Sequence, residues 1–425
     1  MGSKRIIVTA WGSFGDFNPH ATLALGLRDR GHDAAFAGPE FYREKVEGFG
    51  IPFLPVRPDL PDWRSPGIMA RMNDPRRGTE RVVRELILPA LADAYADLDA
   101  AAAGADLIVS SLLAVGGRLV AETRGIKWVS TALQPSVFLS AEDPPAVEVL
   151  PGIVPVLRAL PPGGRRLLMR SLLKAADPWA VPWHEFRAGL GLPPARENPF
   201  LRGQHAPSLA LGLFSSLFSP PRRDWPPQAV ATGFPFDPRV DGTTLPPDLA
   251  AFLHAGEPPI VFTLGSTAVL EPGEFYQQSI AAARSLGRRA VLLVGPAGEH
   301  GIVHRNPDMI AVEQAPHRAL FPRAAAVVFH GGIGTLSQAM LAGVPSLIVP
   351  HAHDQPDNAM RAERLGIALV LRAHRYRADR AAAMLERLLD ERRWRDRATD
   401  VAEKIRAEDG VGRACDLIGR VLDGR

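Results

Sequence analysis

Four short stretches carry residues able to do chemistry. In Val327-Val328-Phe329-His330-Gly331-Gly332-Ile333-Gly334-Thr335 an apolar run ends on a histidine, a glycine turn follows, and a helix is due to start. Such a turn collects backbone N–H groups and the positive end of a helix dipole at one point, which suits a phosphate. Gly331, Gly332 and Gly334 allow close backbone approach, Thr335 adds a hydroxyl, and His330 could give a charge-assisted hydrogen bond. A tight strand-to-helix turn with a packed histidine uses the same residues. Gly265-Ser266 closes the apolar run 260–264 and could add an N–H and a hydroxyl from the same direction.

Asp354-Gln355 follows Ile348-Val349-Pro350, again at a strand end. Adjacent carboxylate and carboxamide groups suit the hydroxyls of a sugar, although an aspartate there also suits the cap of a helix starting near Pro356 or Asp357. In Gly12-Ser13-Phe14-Gly15-Asp16 one carboxylate stands at the mouth of the first strand, where it could accept a proton from an attacking hydroxyl or simply close a turn. His351, His353 and Asp354 crowd one loop without a distant ligand, so no metal site is expected. Asp97 and Asp99, in an alanine-rich helix over 93–103, read as a solvated face.

These stretches need strands to present them. Residues 5–10 read as a strand, 11–17 as a glycine-rich loop, Asn18-Pro19 as an N-cap with proline at the first helical position, 20–30 as a helix and 33–37 as a second strand. Strands are expected at 105–110, 126–131 and 208–214. The proline-rich region 135–227, with Phe138, Trp179, Trp183, Phe186 and Phe200, reads as irregular helices laid over the end of a sheet. From 259 onward, strand-like runs at 259–264, 289–294, 309–312, 324–329, 346–349 and 368–371 alternate with helices, the pattern of a parallel sheet covered on both faces. The tail over 390–422 reads as long, charged helix. In such sheets ligands bind beyond the carboxyl ends of the strands, where all four stretches fall.

Composition bounds the rest. At 425 residues with 46% hydrophobic residues, two domains are the default. A net charge of +3 is too balanced to argue for nucleic acid. The single Cys415 excludes an internal disulfide and fits a reducing compartment. No apolar run approaches the ~20 residues of a spanning helix, and Met1-Gly2-Ser3-Lys4-Arg5 leads into a strand rather than a signal peptide, so a cytoplasmic protein is expected. Peripheral membrane contact and oligomeric state stay open.

The set His330-Gly331-Gly332-Ile333-Gly334-Thr335, Gln338-Ala339, Ala342-Gly343-Val344-Pro345, Pro350, Asp354-Gln355 and Asn358-Ala359 resembles the donor signature of family 1 glycosyltransferases of the GT-B fold. The stretch from Gly12 to Pro19 looks like the acceptor-side loop of the bacterial branch, which includes rhamnolipid-type, sterol, macrolide and glycopeptide transferases. The resemblance implies two doubly wound Rossmann-like domains facing each other across a cleft: an acceptor domain over 1–231, a linker over 232–247, a donor domain over 248–405, and a helix over 406–425 returning to the first domain.

By resemblance, His330 and the amides of Gly332, Gly334 and Thr335 would hold the diphosphate with Ser13, Gly265 and Ser266. Gln338, where many plant members carry glutamate, would bond the ribose. Gln314 stands where those members stack the base on tryptophan, leaving the base to the backbone of Ala315 and to His317. Asp354 and Gln355 would bind the sugar. Asp16 would be the general base, since Ser110-Ser111 occupy the place of a histidine-orienting aspartate; His20 is a weaker candidate. The expected activity is inverting, metal-independent transfer, without a cofactor, from a UDP- or TDP-hexose to a hydroxyl of a lipophilic natural product, sterol, terpenoid or hydroxy-lipid. The alternatives are a GT-B sugar-nucleotide epimerase and a non-catalytic nucleotide-sugar-binding partner protein.

Overall fold

In the computed structural model, residues 2–60, 67–296 and 305–424 are described; Met1 and Arg425, the ends of the sequence read above, lie outside them. The chain divides into two units. The first holds residues up to 60, 77–236 and 409 onward, and the second holds 67–76 and 237–408.

The first unit is built on seven parallel strands: β1 (Arg5–Thr9), β2 (Asp33–Gly38), β3 (Phe53–Pro55), β4 (Leu107–Ser110), β5 (Lys127–Ala132), β6 (Ala210–Gly212) and β7 (Ala229–Ala231), in the order β3-β2-β1-β4-β5-β6-β7. Ile6, Ile7 and Val8 of central β1 are each 0% exposed, so both faces of this strand are covered, which is why it reads as a continuous apolar run.

The helix after β1 runs Phe14–Asp29 and starts five residues before the expected first helical position, Pro19. Ser13, not Asn18, is its N-cap. The Ser13 hydroxyl accepts from the Gly15 N–H at 3.1 Å, and the Asp16 carboxylate accepts from the Ser13 N–H at 2.9 Å, a reciprocal capping box. Two satisfied orphan donors set the start, and Pro19 is carried inside the helix. Region 135–227 supplies the helices Ile153–Ala159, Pro162–Lys174 and Val181–Gly189 before β6 and β7. The tail is two helices, Arg392–Arg406 and Gly410–Asp423. The second packs on Phe14–Asp29: a Cβ on Gly26 would overlap Val411, and Arg30 donates to the Gly412 carbonyl at 3.1 Å.

The second unit holds β8 (Ile260–Thr263), β9 (Ala290–Leu293), β10 (Arg305–Asn306), β11 (Met309–Val312), β12 (Ala326–Phe329), β13 (Ser346–Ile348) and β14 (Ala368–Val370), ordered β10-β11-β9-β8-β12-β13-β14. Six are parallel; the two-residue β10 is an antiparallel edge. The sequence pattern did not suggest β10, nor the parallel edge strands β3 and β7 of the first unit. β12 lies between β8 and β13, so the loops after β8 and β13 flank the loop after β12. That order brings Gly265, His330 and Asp354 to one edge.

Candidate active site

His330 leaves the end of β12 and is 7% exposed. A Cβ on Gly265, from the β8 loop, would overlap its imidazole Cε1, and a Cβ on Gly332 would overlap its Nε2. The ring is held between two backbones, and only glycine leaves that slot open. Gly265 also has φ +70°, and its N–H turns back to the Thr263 hydroxyl at 3.2 Å, so its part here is space rather than a donated hydrogen bond. Ser266 beside it is exposed. Burial, with the nearby His351 and His317, lowers the His330 pKa to about 3, so the ring is neutral at pH 7. Its hydrogen bond to a phosphate would draw charge from the phosphate alone. Its Nδ1 is buried without a partner.

The helix Ile333–Ala342 begins at Gly332 with no side-chain cap and no acidic residue in its first turn. The first N–H groups of a helix have no intrahelical partner. That of Ile333 faces the Asp354 carboxylate and favours its charged form, and those of Gly334 and Thr335 stand in the same turn. Asp354 precedes the helix Gln355–Leu365. Burial raises its pKa to about 6, against the opposing hydrogen bonds from Asn358 and backbone. Asn358, 0% exposed, donates from Nδ2 to Asp354 Oδ2 at 2.6 Å and to the Gly331 carbonyl at 3.0 Å. Gln355 Oε1 accepts from the backbone of His351 at 2.8 Å and Ala352 at 3.0 Å. The carboxamide expected to meet a sugar thus spends its oxygen bracing its own loop, which leaves its NH2 group as the end able to meet a hydroxyl.

Gln338 lies in the helix Ile333–Ala342, 9% exposed, with its Oε1 buried and unpartnered. Its side chain hydrogen-bonds Asp241, which also pairs with Arg318 at 3.3 Å. Burial lifts Asp241 to about 6 despite those partners. Asp241 ends a short helix, Pro238–Asp241, inside the stretch read as linker; that stretch therefore includes residues packed within the second unit. A Cβ on Gly242 would press on Pro316 Cγ at 3.1 Å, beside the half-buried Ala315. His317 stacks on Phe321 with centroids 4.4 Å apart, and burial lowers its pKa to about 4. Gln314 is exposed.

In the first unit, Asp16 Oδ2 accepts from the Ser13 N–H at 2.9 Å and the Ser13 hydroxyl at 3.2 Å, so Ser13 serves the cap of this helix. A Cβ on Gly12, at φ +136°, would overlap that carboxylate. His20 is fully buried. Its Nδ1 bonds the Asp16 carbonyl at 2.6 Å and its Nε2 the Thr131 hydroxyl at 2.7 Å. With both nitrogens engaged and its pKa lowered to about 4 by burial, His20 is a structural link rather than a base. Ser110 accepts from the Trp128 indole at 2.8 Å, and the Ser111 hydroxyl is buried without a partner. Beyond β1, β2 and β4 lies a small, mainly apolar pocket lined by Trp11, Ile87, Leu113 and Val115 among others.

Asp97 and Asp99 are engaged rather than simply solvated: Asp97 pairs with Arg57 at 2.8 Å and Asp99 with Arg124. Asn358, Asp241 and Arg318 were missed as site residues. Asn358 was within reach of sequence reasoning, since it follows Asp354 by four residues on one helix face. Nothing local to Asp241 announces Gln338, which is almost a hundred residues away.

Residues 285–410 match the family model described as the C-terminal domain of erythromycin biosynthesis protein CIII-like proteins. The chain is 33% identical to O-mycaminosyltylonolide 6-deoxyallosyltransferase of Streptomyces fradiae, covering 97% of this chain and 96% of that one. It is 30% identical to vancomycin aglycone glucosyltransferase of Amycolatopsis orientalis, covering 97% of each. Among solved structures, the glycotransferase of kitacinnamycin superposes with a TM-score of 0.76 at 22% identity, over 99% of this chain and 100% of that one. Glycosyltransferase VinC in complex with dTDP does so at 0.70 and 22%, over 99% and 100%. The chain belongs to the family 1 glycosyltransferases of the GT-B fold. It is an enzyme that transfers a sugar, which sets aside the epimerase and the non-catalytic partner. Among the described residues no helix is long and apolar enough to cross a membrane.

Proposed function

We propose that this enzyme moves a hexose from a dTDP- or UDP-sugar to a hydroxyl of a lipophilic small molecule, with inversion at the anomeric carbon and Asp16 as general base. The observation that carries the donor half is the buried, neutral His330 with its unpartnered Nδ1 beside an uncapped helix N-terminus. Relatives that act on macrolide and glycopeptide aglycones, and a solved relative holding dTDP, support this choice of donor and acceptor. The apolar pocket beyond β1 supports a lipophilic acceptor.

The acceptor hydroxyl gives its proton to Asp16, its oxygen bonds the anomeric carbon, and the bond to the diphosphate oxygen breaks on the opposite face. The leaving diphosphate takes the electron pair, and the His330 N–H and the amides of Gly332, Gly334 and Thr335 stabilise that charge. Asp354 and Gln355 bind the sugar, Gln338 the ribose, and Ala315 with His317 the base. Helix dipole and N–H groups supply the positive potential, so the scheme calls for no metal and no cofactor, and a cytoplasmic setting suits its nucleotide-sugar substrate.

Asp16→Asn tests this. Asparagine keeps an oxygen for the Ser13 N–H, so the cap survives while the base is lost. With dTDP-glucose or UDP-glucose and a panel of hydrophobic alcohols, transfer should fall by roughly 10²–10⁴ while nucleotide affinity holds. Transfer near the wild-type rate would refute Asp16 as base, and retained anomeric configuration in the product would refute inversion.

A further inference from the structure

The donor-site loops in the second unit are joined by one side chain. Asn358 has no solvent exposure, and its Nδ2 spends both hydrogens: one on the Gly331 carbonyl at 3.0 Å, the other on Asp354 Oδ2 at 2.6 Å. Gly331 belongs to the turn between β12 and the helix Ile333–Ala342, and Asp354 to the loop after β13. The carboxamide therefore spans the gap between two neighbouring strand ends.

We propose that Asn358 is a positioning residue that aims the Asp354 carboxylate at the donor sugar, using the phosphate-binding turn as its fixed point. This rests on the reading of Asp354 as a sugar ligand. An aspartate has two torsions, and a buried carboxylate settles wherever donors hold it. The Ile333 N–H at the helix N-terminus, the place a diphosphate would use, also attracts this carboxylate. Without Asn358, that N–H would draw the carboxylate toward the helix end. With Asn358 holding Oδ2 from the other side, the carboxylate plane is set, and its remaining lone pairs stay available to sugar hydroxyls. A carboxylate also accepts several hydrogen bonds at once, so the bracket does not consume it.

The role differs from general bracing in what it predicts. A misaimed Asp354 carboxylate loses its sugar hydroxyls and also brings charge toward the helix end, so dTDP-glucose weakens more than dTDP does. Loss of the turn's geometry would weaken both equally.

The experiment is calorimetric titration of full-length Asn358→Ala, Asp354→Ala, the double variant and wild type with dTDP and with dTDP-glucose. Asn358→Asp, which keeps the shape and removes both donors, is the second variant should the alanine fail to fold. Asn358→Ala should lower the ratio of dTDP-glucose to dTDP affinity by about tenfold, and the double variant should be no worse than Asp354→Ala alone. Equal loss for both ligands, an unchanged ratio, or additive loss in the double variant would overturn the proposal. An Asp354→Ala variant with an unchanged ratio would instead bring down the reading of Asp354 as a sugar ligand.

Discussion

Gly265 and His330, on neighbouring strand ends β8 and β12, fit only because Gly265 has no side chain: any Cβ there would overlap the imidazole Cε1 and lie 3.0 Å from Nε2. Gly265→Ala should therefore act through His330. The substitution also meets φ +70°, a left-handed backbone costing about 1 kcal/mol for a residue with a Cβ. The expected outcome is a roughly tenfold or greater loss of dTDP affinity, as for a lost hydrogen bond to a charged group, with a small change in melting temperature. Titration calorimetry and thermal melting read the two. An alanine variant that binds dTDP like the wild type would mean that the imidazole does not contact the diphosphate.

Buried histidines set the acid limit of stability. His20, His205 and His317 are lowered to about 4 and His330 to about 3, each chiefly by burial. As pH falls below 6.5 the unfolded chain takes up these protons first, so their stabilisation is complete above 6.5 and lost toward 4. Asp241 and Asp354, raised to about 6, act oppositely: they favour the folded state at low pH and cost stability as pH rises through 6. Four groups outweigh two, so melting temperature should climb from pH 4.5 to 6.5 and then flatten. His20→Gln, which keeps one polar link, should flatten the climb by on the order of 3 kcal/mol. An unchanged slope in that variant would show that His20 does not titrate as burial dictates.

Much of this was legible because buried parallel strands announce themselves. Ile6-Ile7-Val8 and Val327-Val328-Phe329 are covered on both faces and so read as unbroken apolar runs, and the glycines after them mark strand ends. The start of the first helix was misread because Asn18-Pro19 mimics an N-cap and first-turn proline; the reciprocal bonds of Ser13 and Asp16 set the start earlier. β7 was missed because Ala229–Ala231 is three residues long with only its last residue buried, so it carries no fully buried apolar run. The pairing of Asp97 with Arg57 and of Asp241 with Gln338 depends on which elements pack together, which no local pattern encodes.

Asp241 gives the linker stretch a testable part in nucleotide binding. It engages the Gln338 side chain while pairing with Arg318 at 3.3 Å, and Gln338 Oε1 is left buried and open. Asp241→Ala would remove that hold and let the carboxamide turn its oxygen away from a ribose hydroxyl. Affinity for dTDP should fall by about threefold to tenfold, the scale of one hydrogen bond, in a protein still folded. If Gln338→Ala weakens dTDP but Asp241→Ala does not, the carboxamide is oriented by something other than Asp241.

The buried pair Asp357–Arg361, one turn into the helix after Asp354, sets the charge behind the Asp354 carboxylate. Arg361 Nε meets Asp357 Oδ2 at 2.7 Å, with the side chains 4% and 1% exposed. Asp357 already pushes the Asp354 pKa upward. Arg361→Met removes the cation beside a buried carboxylate and should destabilise the protein by about 3–5 kcal/mol. In whatever fraction stays folded, the unbalanced Asp357 would raise Asp354 further above 6, and a protonated Asp354 accepts fewer hydrogen bonds from sugar hydroxyls. The KM for the nucleotide sugar should then rise as pH falls from 8 to 6.5, a range over which the wild type changes little. Adding Asp357→Leu to Arg361→Met removes that charge as well, and should restore both melting temperature and the flat KM profile. A double variant that recovers stability but keeps the pH-dependent KM would show that Asp354 is tuned from elsewhere.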